Sequence, residues 1–382
     1  MPLPTNDDLQ TLLRNNAAAC VSLYLPTERA GAPTRENRIR FKNLLNEAEE
    51  QMAAAGIRAA DARDMLAPVR PLINDDPVWK RQAEGLALFA TSDGFQRFNL
   101  PLACDKAIVV ADHFHIKPLL PVLAGDGRFY ILALSLGKVR LLRGTRYRIE
   151  ELKPEGLPKS LADALWYLDT ERSDQWHTRA QARPRGGETL LPGHGAADDE
   201  QKAHLREYFR AVDEGFRELA HAQPVPLVLA GTERLLAAYR EVNSHPCVAG
   251  EAIPGNPDDL SLKELHARAW GIVRPHFLKP QREAAARYPE AFAHQRGSAN
   301  LKDVLAAAHE GRIQTLFVDA ARPIWGRYDR TSGEVETHEK QAPADVDLLN
   351  LAARHVLLNG GEVYAVTGDE LPAEPLAGIY RY

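Results

Sequence analysis

Between residues 205 and 219 the apolar side chains Leu205, Phe209, Val212, Phe216 and Leu219 recur every three or four positions among charged neighbours. That spacing gathers them on one face of a helix, which Asp198 or Asp199 is expected to cap. Earlier, Ile39, Leu44, Leu45, Ala48 and Met52 mark a second long helix opening at Thr34 and ending before Gly56, with a further helix over 59–72. Short runs rich in β-branched and aromatic residues separate the helices. They predict strands at 20–25, 85–91, 95–100 and 107–111, with Ser92-Asp93-Gly94 turning the middle pair into a hairpin.

The same alternation continues. Residues 128–135 and 138–142 read as a hairpin around Leu136-Gly137, followed by a turn at 143–146 and a strand at 147–152. A buried strand is expected at 226–230, a helix at 232–242 and a short strand at 248–253. A helix runs to Val273 from the capping box Ser261-x-x-Glu264. After an Arg/Pro/His-containing junction at 288–297, Asn300 caps a helix over 301–310 and a strand covers 313–319. A hairpin spans 324–338, Asp345 opens a helix to Leu358 that Gly360 and Gly361 stop, a final core strand covers 362–367, and 376–381 closes the chain of an α-β-α sandwich. The expected division is 1–123, 124–296 and 297–382, three α/β domains in a chain of 382 residues.

Composition adds limits. Hydrophobic residues make up 45% and charged residues 26%, ordinary values for a soluble globular protein. No apolar run has membrane-spanning length and no secretory pattern opens the chain, so no membrane partner and a cytoplasmic location are expected. Cys20, Cys104 and Cys247 are widely spaced and give neither a disulfide framework nor a zinc spacing. Charge is uneven. Residues 1–122 hold 14 Lys and Arg against 15 Asp and Glu, residues 123–296 hold 25 against 24, and residues 297–382 hold 8 against 13. Contact with RNA would therefore come from local patches, and the acidic C-terminal part suits a protein partner.

One such patch is a long glycine-rich stretch, 171–197, carrying Arg172, Arg179, Arg183 and Arg185 with Trp176 and His177 among them. Guanidinium groups meet phosphates and rings stack on bases, so this composition suits nucleic acid; a solvated surface insertion is the alternative. Lys138, Arg140, Arg143, Arg146 and Arg148 form a second patch. Lys138 and Arg140 share one strand face while Val139 and Leu141 turn inward. Arg35, Arg38 and Lys42 fall at i, i+3 and i+7 on one face of the long helix, where phosphate contact competes with a merely solvated surface. His113-x-His115 beside Asp112 would lie on one strand face. Two ligands are too few for zinc, and a packed or hydrogen-bonded pair is expected. No metal or cofactor is expected: the chain has no Walker loop, dinucleotide fingerprint or Gly-x-Ser-x-Gly.

Several stretches, taken in order, resemble the bacterial archaeo-eukaryotic release-factor-like family, relatives of the class I release factors and Pelota. They are Val21-Ser22-Leu23-Tyr24-Leu25-Pro26, Arg35-Glu36-Asn37-Arg38-Ile39-Arg40, Gly85-Leu86-Ala87-Leu88-Phe89 and Phe114-His115-Ile116-Lys117-Pro118-Leu119-Leu120. The pattern continues from His194-Gly195 through Asp198-Asp199 to Phe209-Arg210-Ala211-Val212-Asp213, then Leu301–Gly311 with Ile313–Val318, and Gly360-Gly361-Glu362-Val363. The resemblance spans nearly the whole chain. It implies a ribonuclease-H-like middle domain and an L7Ae-like C-terminal sandwich.

It also implies ribosome, tRNA and rRNA as partners, with a translational GTPase met through the acidic C-terminal domain. Two signatures differ. Where the family's releasing enzymes carry Gly-Gly-Gln, which positions water on the peptidyl-tRNA ester, this chain has Gly186-Gly187-Glu188. The stop-codon motif Asn-Ile-Lys-Ser falls near Asn37-Arg38-Ile39-Arg40 and is not reproduced. The expected role is thus a ribosome- or tRNA-associated binding protein in rescue, hibernation or stalled-complex handling. The alternatives are a peptidyl-tRNA hydrolase using Glu188 or His194 to activate water, and a regulator that binds RNA or protein away from the ribosome.

Overall fold

A computed structural model describes residues 3–15, 17–28, 34–80, 83–123, 127–135, 137–154, 156–158, 194–220 and 224–382. It is a mixed α/β protein with two compact units, one formed by 1–125 with 280–382 and the other by 126–279.

In the first unit, β1 (Cys20–Pro26), β2 (Gly85–Thr91), β3 (Gly94–Leu100) and β4 (Ala107–Ala111) form an antiparallel sheet ordered β3-β2-β1-β4. The Ser92-Asp93-Gly94 signal makes the β2–β3 hairpin as expected, with Thr91 opposite Gly94. Alternation on β1 sends Val21, Leu23 and Leu25 into one core with Leu86, Leu88 and Ala90 of β2. The helix Thr34–Ala54 covers that face through Phe41, Leu44, Leu45, Ala48 and Met52. Ile39, expected on this stripe, is instead 50% exposed. The true stripe begins at Phe41, because 41, 44, 45, 48 and 52 keep helical spacing and 39 falls on the far side. The helix expected over 59–72 is shorter, Ala59–Leu66, and gives way to a 3₁₀ turn at Arg70–Asn74. Pro68 and Pro71 cannot donate the amide bonds a continuous helix would need.

The second unit holds β5 (Phe129–Leu134), β6 (Val139–Gly144), β7 (Ile149–Leu152), β8 (Leu227–Gly231) and β9 (Ile253–Pro254), ordered β7-β6-β5-β8-β9. The first three strands are antiparallel, β8 runs parallel to β5, and β9 runs parallel to β8. Alternate residues of β5 serve two cores. Tyr130, Leu132 and Leu134 face the helices His194–Ala220 and Glu233–Val242, while Phe129, Ile131 and Ala133 face the helix Leu262–Phe277. The amphipathic stripe is confirmed: Leu205, Phe209, Val212 and Phe216 are buried. Asp198 and Asp199 do not cap it, since the helix already begins at His194. The strand expected at 248–253 reduces to Ile253–Pro254, with an isolated bridge from Val248 to Leu227.

Residues 280–382 return to the first unit. β10 (Gly297–Ser298), β11 (Ile313–Asp319), β15 (Glu362–Val366) and β16 (Leu376–Tyr380) form a sheet ordered β10-β16-β11-β15, and β12 (Trp325–Tyr328), β13 (Val335–His338) and β14 (Val346–Asp347) form a small second one. Helices Leu301–His309 and Leu348–Leu358 pack on one face of the larger sheet. On the other, Ala284, Tyr288 and Ala291 of the helix Lys279–Ala293 meet Phe317, Val366, Ala377 and Ile379. The α-β-α sandwich is present, and the stretch expected to be a junction at 288–297 is largely this helix. The cap of Leu348–Leu358 is Asp347, whose Oδ1 accepts the Leu349 amide at 3.1 Å. Asp345 caps nothing there: it accepts the Ala342 amide at 2.9 Å and pairs with His338 Nδ1 at 2.8 Å.

The two sequence segments of this unit meet at a buried asparagine. Asn350 Oδ1 accepts the amides of Ile116 (2.7 Å) and Lys117 (3.0 Å), and its Nδ2 donates to the Phe114 carbonyl (3.3 Å). One amide side chain thus satisfies three backbone groups that burial would otherwise leave unpaired.

Candidate functional site

The cationic residues singled out in the sequence fall in three places. Those of the long stretch, Arg172, Arg179, Arg183 and Arg185, lie outside the described residues, as does Glu188. His194 begins a helix by its backbone, but its side chain lies outside the described ones, like those of Asp198 and Asp199. The patch on the helix Thr34–Ala54 belongs to the first unit, and the hairpin patch to the second.

On the long helix, Arg35 and Lys42 are exposed. Arg38 is engaged: it forms an ion pair with Asp76, whose carboxyl it holds below the usual carboxylate range. Arg40 reaches Glu36 at 3.3 Å and Glu28 at 3.5 Å. Asn37 is buried and clamps the chain before the helix, accepting the Glu28 amide at 3.4 Å and donating to its carbonyl at 3.3 Å.

The hairpin patch is built by strand alternation. Val139 and Leu141 point into the core, which turns Arg140 to the opposite face of β6 beside Lys138. Register then sets their partners. Arg143 stands directly across from Glu150, and its Nε donates to that carboxylate at 2.6 Å. Glu151 takes Arg140 at 3.2 Å and Lys138 at 3.5 Å. Five cations between 138 and 151 therefore face two carboxylates, a local excess of three positive charges. The Arg146 guanidinium lies 5.2 Å from the centre of the Tyr147 ring. Burial raises the Tyr147 phenol, which Arg146 partly offsets. The sequence had not pointed to Glu150 and Glu151; their place on the strand after a basic hairpin was the available signal.

The helix Leu262–Phe277 closes against this turn. His266 Nε2 lies 2.7 Å from the Thr145 carbonyl oxygen, and the His266 ring stacks on Phe129 with centroids 6.0 Å apart. Gly144 makes this possible, because a Cβ there would overlap the Phe129 ring.

The histidine pair expected on one strand face is placed differently. β4 ends at Ala111, so His113 and His115 lie in the loop beyond it. Both are buried. His113 Nδ1 lies 2.6 Å from Asp112, which is lowered to about 2 mainly by this bond, and the His115 amide donates to Ser22 Oγ at 2.9 Å. Among the described residues, no group of three or more His, Cys, Asp or Glu could hold a metal.

Residues 128–312 match the family described as Bacterial archaeo-eukaryotic release factor family 3. Over this segment the chain is release-factor-like. The match begins at β5 and so includes the hairpin patch and the helix behind it. Among solved structures, an archaeal translation termination factor, aRF1, is similar at 16% identity, covering 98% of this chain and 96% of that chain with a TM-score of 0.25. Archaeal Pelota from a model of its ribosome-bound complex with ABCE1 is similar at 13% identity, covering 100% and 95%, with a TM-score of 0.37. Pelota of Archaeoglobus fulgidus shares 14% identity over 78% and 79%, with a TM-score of 0.27. None of the curated proteins matches. Among the described residues, no helix is long and apolar enough to cross a membrane.

Proposed function

We propose that this chain is a ribosome-associated, release-factor-like binding protein that occupies a tRNA-like site during rescue, hibernation or handling of stalled complexes. The family match over 128–312 carries the reading, because it falls on the unit that bears the basic hairpin. The hairpin chemistry supports it. Exposed ion pairs are worth little, about 0–1 kcal/mol, so Arg143 and Lys138 can exchange a carboxylate for an RNA phosphate at small cost. The release of counterions from RNA drives the exchange. In this reading the stretch 171–197 approaches the tRNA acceptor end. The acidic 297–382 segment, L7Ae-like by the resemblance, offers a surface to a protein partner such as a translational GTPase.

Cosedimentation of the purified chain with ribosomes across a salt series tests this. Binding should weaken with salt, and replacing Arg143, Arg146 and Arg148 by Ala should lower the log–log salt slope by roughly 0.7–0.9 for each phosphate that the variant no longer neutralises. No cosedimentation at low salt would overturn the ribosomal reading.

A further inference from the structure

Beside the basic turn the helix Leu262–Phe277 carries an aromatic row that neither the sequence patches nor the family match singles out. Phe129 lies flat over Gly144 and touches two rings of the helix, His266 at 6.0 Å and Trp270 at 6.1 Å between centroids. Trp270 in turn stacks on Phe277, with centroids 5.7 Å apart and planes 13° from parallel. The innermost ring, Phe129, is fully buried, whereas Trp270 and Phe277 are only partly covered. The row therefore starts in the core and ends at the surface.

Its flanks are cationic. Lys263, Ala267, Trp270 and Arg274 are spaced i, i+4, i+7 and i+11, so they line one helix face, with both cations exposed. The His266 contact to Thr145 brings the exposed Arg146 and Arg148 of the turn alongside. Arg143, Arg146, Arg148, Lys263, Arg268 and Arg274 stand here with Glu150, Asp258, Asp259 and Glu264, a net positive surface, although 126–279 holds 22 Lys and Arg against 22 Asp and Glu. An apolar protein partner would need the rings without the charges. Partly exposed rings within a belt of Arg and Lys match unpaired nucleotides, which offer a flat base to the ring and a phosphate to each cation.

We propose that Trp270 and Phe277 form a stacking platform for an unpaired single-stranded RNA segment, with Arg146, Arg148, Lys263 and Arg274 taking its phosphates. This deepens the ribosomal reading and rests on it only for the source of the RNA.

The test is fluorescence anisotropy of a labelled twelve-nucleotide single-stranded RNA with the full chain. Trp270→Leu and Trp270→Phe are compared, and near-ultraviolet circular dichroism checks the fold. Loss of one stacked base should weaken binding roughly ten-fold in Trp270→Leu and much less in Trp270→Phe. Phe277→Ala, farther from the buried end of the row, should also weaken it should Trp270→Leu fail to fold. Equal affinity of folded Trp270→Leu and wild type, or no binding at low salt, overturns the platform. Ribosome cosedimentation run in parallel separates the two readings. Ribosome binding without oligonucleotide binding sinks the platform alone, and the reverse sinks the ribosomal role alone.

Discussion

Lys117 Nζ lies 2.8 Å from Asp347 Oδ2, and both side chains are buried, at 2% and 0% exposure. The ammonium also donates to the Arg322 carbonyl at 2.8 Å. Asp347 divides its duties: Oδ1 accepts the amides of Ile324 and Leu349 while Oδ2 faces the lysine. The pair ties the segment after β4 to the start of a helix near the C-terminal end of the chain, beside the Asn350 clamp. Removing one partner of a buried pair strands the other charge, which typically costs about 3–5 kcal/mol. Lys117→Met should destabilise the first unit by that amount in urea unfolding. Adding Asp347→Asn, which removes the stranded charge and keeps the capping oxygen, should recover part of it. A Lys117→Met midpoint equal to wild type would show that the pair contributes nothing.

Acid should loosen the same unit. Burial lowers His115 to about 4, with Lys117 and His113 acting in the same direction and Asp347 opposing. Burial also lowers His355 to about 4, reinforced by Arg330, His309, Arg354 and His113. Between about 4 and the ordinary histidine value of 6.5 the unfolded chain binds more protons than the folded one, so stability is full above that window and falls as pH drops through it. His338, raised by its bond to Asp345, works the other way, with stability that is lost as pH rises. The unfolding midpoint should therefore fall from about pH 6.5 to about 4.5, and His355→Phe should flatten the slope. A midpoint that does not change over that range would refute burial as the dominant influence.

On the hairpin, Glu151 holds both Lys138 and Arg140. Glu151→Gln removes that competition and adds one unit of net positive charge. It should elute from heparin at higher salt than wild type and bind ribosomes more tightly, by a few-fold. Earlier elution would mean that the glutamate orients the cations rather than competing for them.

Gly144 is required by the ring above it. A methyl group at this position would meet the Phe129 ring at van der Waals overlap, and Phe129 is fully buried with nowhere to retreat. Gly144→Ala should cost about 1–3 kcal/mol through overpacking. It should also disturb the His266 and Trp270 stacking, visible as altered near-ultraviolet circular dichroism. An unaltered spectrum and midpoint would show that the sheet shifts to make room.

What could be read from the sequence alone was whatever physics fixes within a few residues. Ser261 and Glu264 form their capping box, Ser92-Asp93-Gly94 turns its hairpin, and the stripe from Leu205 to Phe216 finds the core, because each depends on spacings of two to four positions. The likeness to the release-factor family over 128–312 was also legible. Tertiary structure decided which of two plausible neighbours does a job: Asp347 rather than Asp345 caps a helix, and Phe41 rather than Ile39 meets the sheet. It alone paired Lys117 with Asp347 and set Trp270 beside the basic turn. Side chains so distant in sequence leave no local period, and only the closing of one layer on another brings them within reach.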